Sequence, residues 1–262
     1  MNDEAYRIEI VQVGKMDEVP TCAVYALEKI GEYEPFCYTM LILRRYHDDE
    51  VVIINTGFPE EISHIRKAWQ DWDARCRFER AEDMKVANIL AARGIDPLSV
   101  RHVFITPWGP YNTGNISLFR NANLYVLKRG WAYLLGLEEN LPRLPRHITI
   151  PDAELAYLVT DGFEKLVLLP DEAAPLPGIS IFYAGVHHPA SMAIAINTAQ
   201  GIAIFSDAFF KFQNIERMKP IGYCQDLRQC MKSYRRIAQE ASLLIPMYDP
   251  ALFERYPRGI IA

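Results

Sequence analysis

The chain has 262 residues, half of them apolar and 23% charged, a composition that supports a sizeable core and excludes a disordered chain. Lys and Arg number 28 against 33 Asp and Glu, for a net charge of -5. This balance argues against nucleic acid, whose binding needs a basic face to displace counterions, and against docking on an anionic membrane. No apolar run approaches the ~18 residues of a membrane-spanning helix. The start Met1-Asn2-Asp3-Glu4 lacks the basic opening of a signal peptide, so the expected location is the cytoplasm. Cys22, Cys37, Cys76, Cys224 and Cys230 match no zinc or redox spacing and are expected as free thiols.

In chain order, Val51 to Ile54 reads as a buried strand. Glu61 to Arg77 follows as a helix with Ile62, Ile65, Trp69, Trp72 and Cys76 on one stripe, read as core or lid packing. Asp83 to Arg93 is a second helix, stopped by Gly94 with Pro97 beyond it. His102 to Ile105, Leu124 to Leu127, Leu166 to Leu169, Met192 to Ile196 and Ile202 to Phe205 are further strands. Asp226 then caps a helix whose apolar face runs through Leu227, Cys230, Met231, Tyr234, Ile237, Ala238 and Ala241. Leu243 to Ile245 is the last strand. No repeat or linker divides the chain, which reads as one layered α/β domain over residues 1–262.

Four separated segments add a resemblance. They are Asn55-Thr56-Gly57 after the first strand, Thr106 to Asn115 after the second, Gly185-Val186-His187-His188-Pro189-Ala190-Ser191 followed by Ser206-Asp207-Ala208, and Pro246-Met247-Tyr248-Asp249-Pro250. In order and spacing they resemble the metallo-β-lactamase superfamily, in particular its acyl-homoserine-lactone lactonases. The resemblance implies an αββα sandwich of two mixed β-sheets flanked by helices.

The family's dinuclear zinc centre uses five histidines and two aspartates. Carried over one by one, the histidines of its HxHxDH signature fall on Pro107, Gly109 and Asn112, and its aspartate on Tyr111. The next histidine falls on His187 and the bridging aspartate on Asp207, both retained. The last histidine falls on Tyr248, and the aspartate of Asp-Thr-Gly is Asn55. One imidazole and one carboxylate do not hold zinc tightly, since catalytic sites use three protein ligands. Phenols with pKa near ~10 are poor substitutes at pH 7. The expectation is therefore no metal and no other cofactor. A tyrosine that family lactonases often carry after Gly-Asp-Ala aligns with Phe210.

Without an ion between them, His187 and Asp207 are expected to hydrogen-bond, the carboxylate raising the imidazole pKa. Tyr111 and Tyr248 would donate to an oxyanion, which completes a catalytic set of His187, Asp207, Tyr111 and Tyr248. Trp108, Asn112, His188 and Phe210 would contact the substrate. Three functions follow. The first is a metal-independent acid/base enzyme acting on a small ester, lactone or carbonyl compound. The second is a non-catalytic relative that binds a small molecule or a protein through the aromatic former site. The third is a hydrolase with one weakly held ion. A plugged, purely structural site is the bland alternative, and a homo-oligomer remains open. Of the other histidines, His64 reads as surface, His47 as a hairpin tip and His102 as packed. His147 carries no supporting pattern.

Overall fold

The computed structural model describes residues 4–136 and 149–261. His147 lies outside them. Two sheets form the centre. The first runs in the order β13 (Ile260–Ile261), β1 (Tyr6–Pro20), β2 (Tyr33–Arg45), β3 (Val51–Ile54), β5 (His102–Phe104), β6 (Asn123–Leu127) and β7 (Leu166–Leu169), with β4 (Phe78–Glu79) also paired to β1. Its β1–β2–β3 part is antiparallel, and β3, β5, β6 and β7 are parallel. The second sheet runs β12 (Leu243–Pro246), β11 (Gly201–Ser206), β10 (Met192–Thr198), β9 (Ile179–Tyr183) and β8 (Glu172–Leu176), antiparallel except between β11 and β12. Both sheets are thus mixed.

The strands read from the sequence appear because each is apolar on both faces. Val52, Ile53 and Ile54 are fully buried, as are Ile194, Ile196, Ile204 and Phe205, the signature of strands covered on both sides. The sheets meet where β1 packs on β10. A hydrogen bond of 3.0 Å from the Tyr6 hydroxyl to the Pro177 carbonyl ties the first sheet to the turn between β8 and β9.

The helices are α1 (Thr21–Val24), α2 (Ser63–Trp72), α3 (Val86–Ala91), α4 (Lys128–Leu135), α5 (Asp152–Val159), α6 (Phe212–Glu216), α7 (Leu227–Glu240) and α8 (Leu252–Arg255). The Asp226 side chain caps α7, accepting from the Arg228 and Gln229 amides at 2.8 and 3.0 Å. Two expected helices are shorter than their periodicity. The first stops at Trp72 because Asp73 turns extended, and Cys76 reaches the core from the loop beyond. The second breaks at extended Lys85, leaving a 3₁₀ turn over Glu82–Met84 before α3. Gly94 has the expected left-handed conformation beyond α3. All five cysteines are free. Among the described residues no helix is long and apolar enough to cross a membrane.

Candidate functional site, an aromatic cleft

The loops after β3 and β5 and those around β10 and β11 converge on one end of the sandwich. The loop from Thr106 to Asn115 is braced from below. Asn55, at a positive φ of 67°, accepts from the Thr106 amide at 2.9 Å. Asparagine tolerates this left-handed backbone better than most residues. The Thr56 hydroxyl and amide both bond to the Asn112 carbonyl, at 2.8 and 2.7 Å. The Asn112 side chain turns back on its own loop and donates to the carbonyls of Thr106 and Pro107, each at 3.1 Å. Gly114 lies so close to the preceding loop that a Cβ would come within 2.1 Å of the Pro59 nitrogen.

Above this brace lies a cleft of about 560 Å³. Its walls include Trp108, Tyr111, His187, His188, Phe210 and Tyr248. Tyr248 donates to the Tyr111 hydroxyl at 3.0 Å. Phe210 stands edge-on to both Tyr248 and His187, with ring centroids 4.9 and 5.0 Å away. His188 turns to its own loop, where Nδ1 accepts from the Ala190 amide at 2.9 Å, and its ring meets Tyr133 edge-on. Trp108 is buried, tilted against Trp131 with its indole N–H unpartnered among the described residues.

Two expectations are corrected by placement. Asp207 does not pair with His187. It is fully buried behind the cleft wall, where one carboxylate oxygen accepts from the Ser191 hydroxyl at 2.5 Å and the other meets the Thr106 hydroxyl at 3.5 Å. Burial pushes its pKa up to about 7. His187 is half-buried at the wall. Its backbone N–H donates to the Gly185 carbonyl at 2.9 Å, its ring stands edge-on to Tyr223, and its Nδ1 is sealed from water with no partner among the described residues. Desolvation lowers its pKa to about 4, the reverse of the expected rise. The same cause takes His188 to about 3, while burial raises Tyr111 and Tyr248 above the ordinary phenol value. Asn112 is likewise buried behind the wall, its amide nitrogen donating to the loop carbonyls and its Oδ1 without a partner among the described residues, so it holds the cleft's shape.

The sequence reading missed the opposite wall. Tyr38 on β2 stacks on Trp69 of α2 at 5.4 Å and 14°, and Trp69 stacks on Tyr111 at 6.4 Å and 24°. Phe36 stacks on Tyr248 at 5.3 Å and 8°. Phe36 and Tyr38 stand two apart on one strand, so they share a face. That spacing was the available signal.

The dinuclear zinc centre of the resembling family does not fit these residues. Among the described residues no three His, Cys, Asp or Glu side chains come together as a ligand group. The one carboxylate is committed to two hydroxyls, and the positions that would supply imidazoles are Pro107, Gly109, Asn112 and Tyr248. Zinc needs at least three deprotonated donors converging on one point.

No family model matches the chain, and no curated protein does. Solved structures do. An N-acyl homoserine lactone hydrolase, with the product N-hexanoyl-L-homoserine bound at its catalytic metal centre, superposes with a TM-score of 0.75 at 16% identity, covering 95% of each chain. A quorum-quenching N-acyl homoserine lactone lactonase gives 0.73 at 16% identity over 97% of this chain and 98% of that one. A probable metal-dependent hydrolase from Staphylococcus aureus gives 0.71 at 14% identity, over 95% and 91%. Two mixed sheets flanked by helices, with the cleft at one end of the sandwich, define an αββα protein. More particularly, the chain has the metallo-β-lactamase fold.

Proposed function

We propose that this protein binds a small, largely apolar organic molecule in its aromatic cleft, and that it does so without a metal. The observation that carries the reading is the cleft itself. The chain has an open space of about 560 Å³ lined mainly by aromatic rings, Phe36, Tyr38, Trp69, Tyr111 and Tyr248 among them. That volume is typical of small-molecule sites. The donor set argues for the metal-free part of the reading.

N-phenyl-1-naphthylamine, an uncharged dye that brightens in apolar surroundings, tests it. Chelator-treated protein should bind one dye per chain, and the fluorescence gain should survive the chelator. Ala68 of α2 lines the same cleft, so Ala68→Trp should fill the space and abolish binding while the protein stays folded. Saturable binding that disappears with the chelator, or that is unaffected by Ala68→Trp, overturns the reading.

A second reading rests on one specific observation. His187 lines the same cleft as the Tyr111–Tyr248 hydroxyl pair, and desolvation keeps its imidazole neutral. A neutral imidazole can take a proton from an attacking water, and a phenol can donate to the oxyanion that forms. Metal-independent hydrolysis of a small ester or lactone, the substrate class named for two of the neighbours, would use that pair. Turnover by chelator-treated protein that is lost in His187→Ala supports it. Turnover that survives His187→Ala sinks it.

A further inference from the structure

A buried cation stands behind one wall of the cleft. Lys211 is only 5% exposed, and a buried ammonium is costly unless acceptors surround it. Three do. Its Nζ donates to the Pro35 carbonyl and lies 3.6 Å from Glu34 Oε2 and 3.8 Å from Asp249 Oδ1. Both carboxylates are themselves largely buried. Burial raises the Glu34 pKa, and the Lys211 charge opposes that rise. Asp249 also accepts from the amides of Phe212 and Ala251, at 3.0 and 3.1 Å.

The ammonium thereby joins three segments, and each carries one ring of the cleft. Pro35 precedes Phe36 on β2, Lys211 follows Phe210 between β11 and α6, and Asp249 follows Tyr248 after β12. Lys211 is extended, with φ -132° and ψ 158°, and successive side chains on extended backbone point to opposite sides. Phe210 therefore lines the cleft while the ammonium lies behind it. Phe36, Phe210 and Tyr248 meet as one cluster, with centroids 4.9 to 5.7 Å apart, and Lys211 Nζ is 5.1 Å from the Phe36 centroid. Backbone bonds between these segments are long. The Tyr248 amide is 3.3 Å from the Phe210 carbonyl and the Cys37 amide 3.2 Å from the Tyr248 carbonyl, the weak end of the usual range. The Thr39 hydroxyl adds a bond of 3.0 Å to the Met247 carbonyl, which ties β2 to the segment after β12 but does not reach Phe210.

We infer that Lys211 is a positioning residue of the ligand cleft: by drawing Glu34, Pro35 and Asp249 to one point, it holds Phe36, Phe210 and Tyr248 in the arrangement that binds. This rests on the reading of the cleft as a ligand site and names the residue that sets its shape. Lys211 does not touch the ligand. It acts on affinity through the fraction of time that the wall keeps its binding arrangement, because a site that is only partly populated binds more weakly by that fraction.

Titration with N-phenyl-1-naphthylamine tests the inference in two variants, each held well below its melting midpoint so that only folded protein is compared. Lys211→Met keeps most of the stem and removes the charge. It should bind the dye about tenfold more weakly, as expected for a wall that holds its binding arrangement about a tenth of the time. The triple variant Glu34→Gln, Lys211→Met, Asp249→Asn removes all three charges and keeps an acceptor for the Phe212 amide. Neutralising a buried ionic group as a whole avoids the cost of leaving one member unpaired. Its melting temperature should therefore recover toward that of the unaltered protein, while its dye affinity stays about tenfold lower because no grip remains. A residue that only stabilised the fold would behave differently. Affinity would be unchanged in the folded single variant, or regained with the melting temperature in the triple one. Either result overturns the role of Lys211 and leaves the cleft reading standing, since the unaltered protein still binds the dye. Should Lys211→Met fail to fold, the triple variant decides alone. Absence of saturable dye binding to the unaltered protein overturns the cleft reading itself, and the role of Lys211 with it.

Discussion

At the scale of single residues, the retained pair His187 and Asp207 illustrates how position and role separate. Both align with metal ligands, and the sequence made a direct hydrogen bond the simplest expectation. The structure instead splits them across the cleft wall. Identity was legible at these positions, but side-chain direction was not, because Ser191 and Thr106 compete for the carboxylate and the segments that contain them do not tell where their hydroxyls point. The split has a pH signature. Asp207 has a folded pKa raised from 3.8 to about 7 by burial, so it contributes stability that is full below its unfolded pKa and lost as pH rises through about 7. His187 and His188 run the other way. Their pKa values are lowered from 6.5 to about 4 and about 3, so their contribution is present above 6.5 and lost as pH falls below it. The melting temperature of Asp207→Asn minus that of the unaltered protein should therefore rise between pH 4 and pH 8 and then level off. A difference that stays flat across this window contradicts the raised value.

At the scale of elements, the ligand loop is the part most changed from the resembling family and the part most tightly braced. Asn55, Thr56 and Asn112 hold it by backbone and amide bonds, and Gly114 lets it lie directly on the Phe58–Pro59 segment. Gly114→Ala places a methyl against backbone rather than against a yielding side chain. The expected loss is at least the ~1–3 kcal/mol of ordinary overpacking, read from the denaturant midpoint. A midpoint unchanged by the substitution would mean that the loop has room to retreat. The short central strands were legible because they are apolar on both faces. The long pair β1 and β2 was not. Register shifts between Gln12 and Gly14 and between Met16 and Val19 break the alternation of β1, and β2 is buried from Phe36 to Leu43 without a period. That pair carries Phe36 and Tyr38, so missing it meant missing a wall of the cleft. The stripe of Ile62, Ile65, Trp69 and Trp72 divides by position. Ile65 is fully buried, Trp69 stacks in the cleft and Trp72 is half exposed at its edge.

At the scale of the whole molecule, the sandwich is shared with the solved lactone hydrolases, while several positions that align with the resembling family's metal ligands carry other side chains. The fold was readable from four short segments in register, because the turns that end strands need particular backbones whatever the side chains do. The use of the cleft was not readable to the same degree. Fold specifies where a site lies, and the side chains at that place specify what it does. Here Tyr111 and Tyr248 stand at positions that align with ion ligands of the resembling family, and the cleft they line is held by the hydrogen bonds of Asn55, Thr56 and Asn112 as well as by ring packing.

The described lining of the cleft, which holds no Asp, Glu, Lys or Arg, has a consequence for how a guest arrives. Electrostatic steering draws charged partners to charged clefts and fades as ions screen the field. Described walls without formal charge offer no such pull, so encounter with them is governed by diffusion and by the release of water from ring faces. Dye association followed by stopped flow should therefore keep the same rate from dilute buffer to molar sodium chloride, apart from the modest tightening that salting-out confers on any apolar contact. A steep fall in that rate with added salt would reveal a field at the mouth that the walls themselves do not carry.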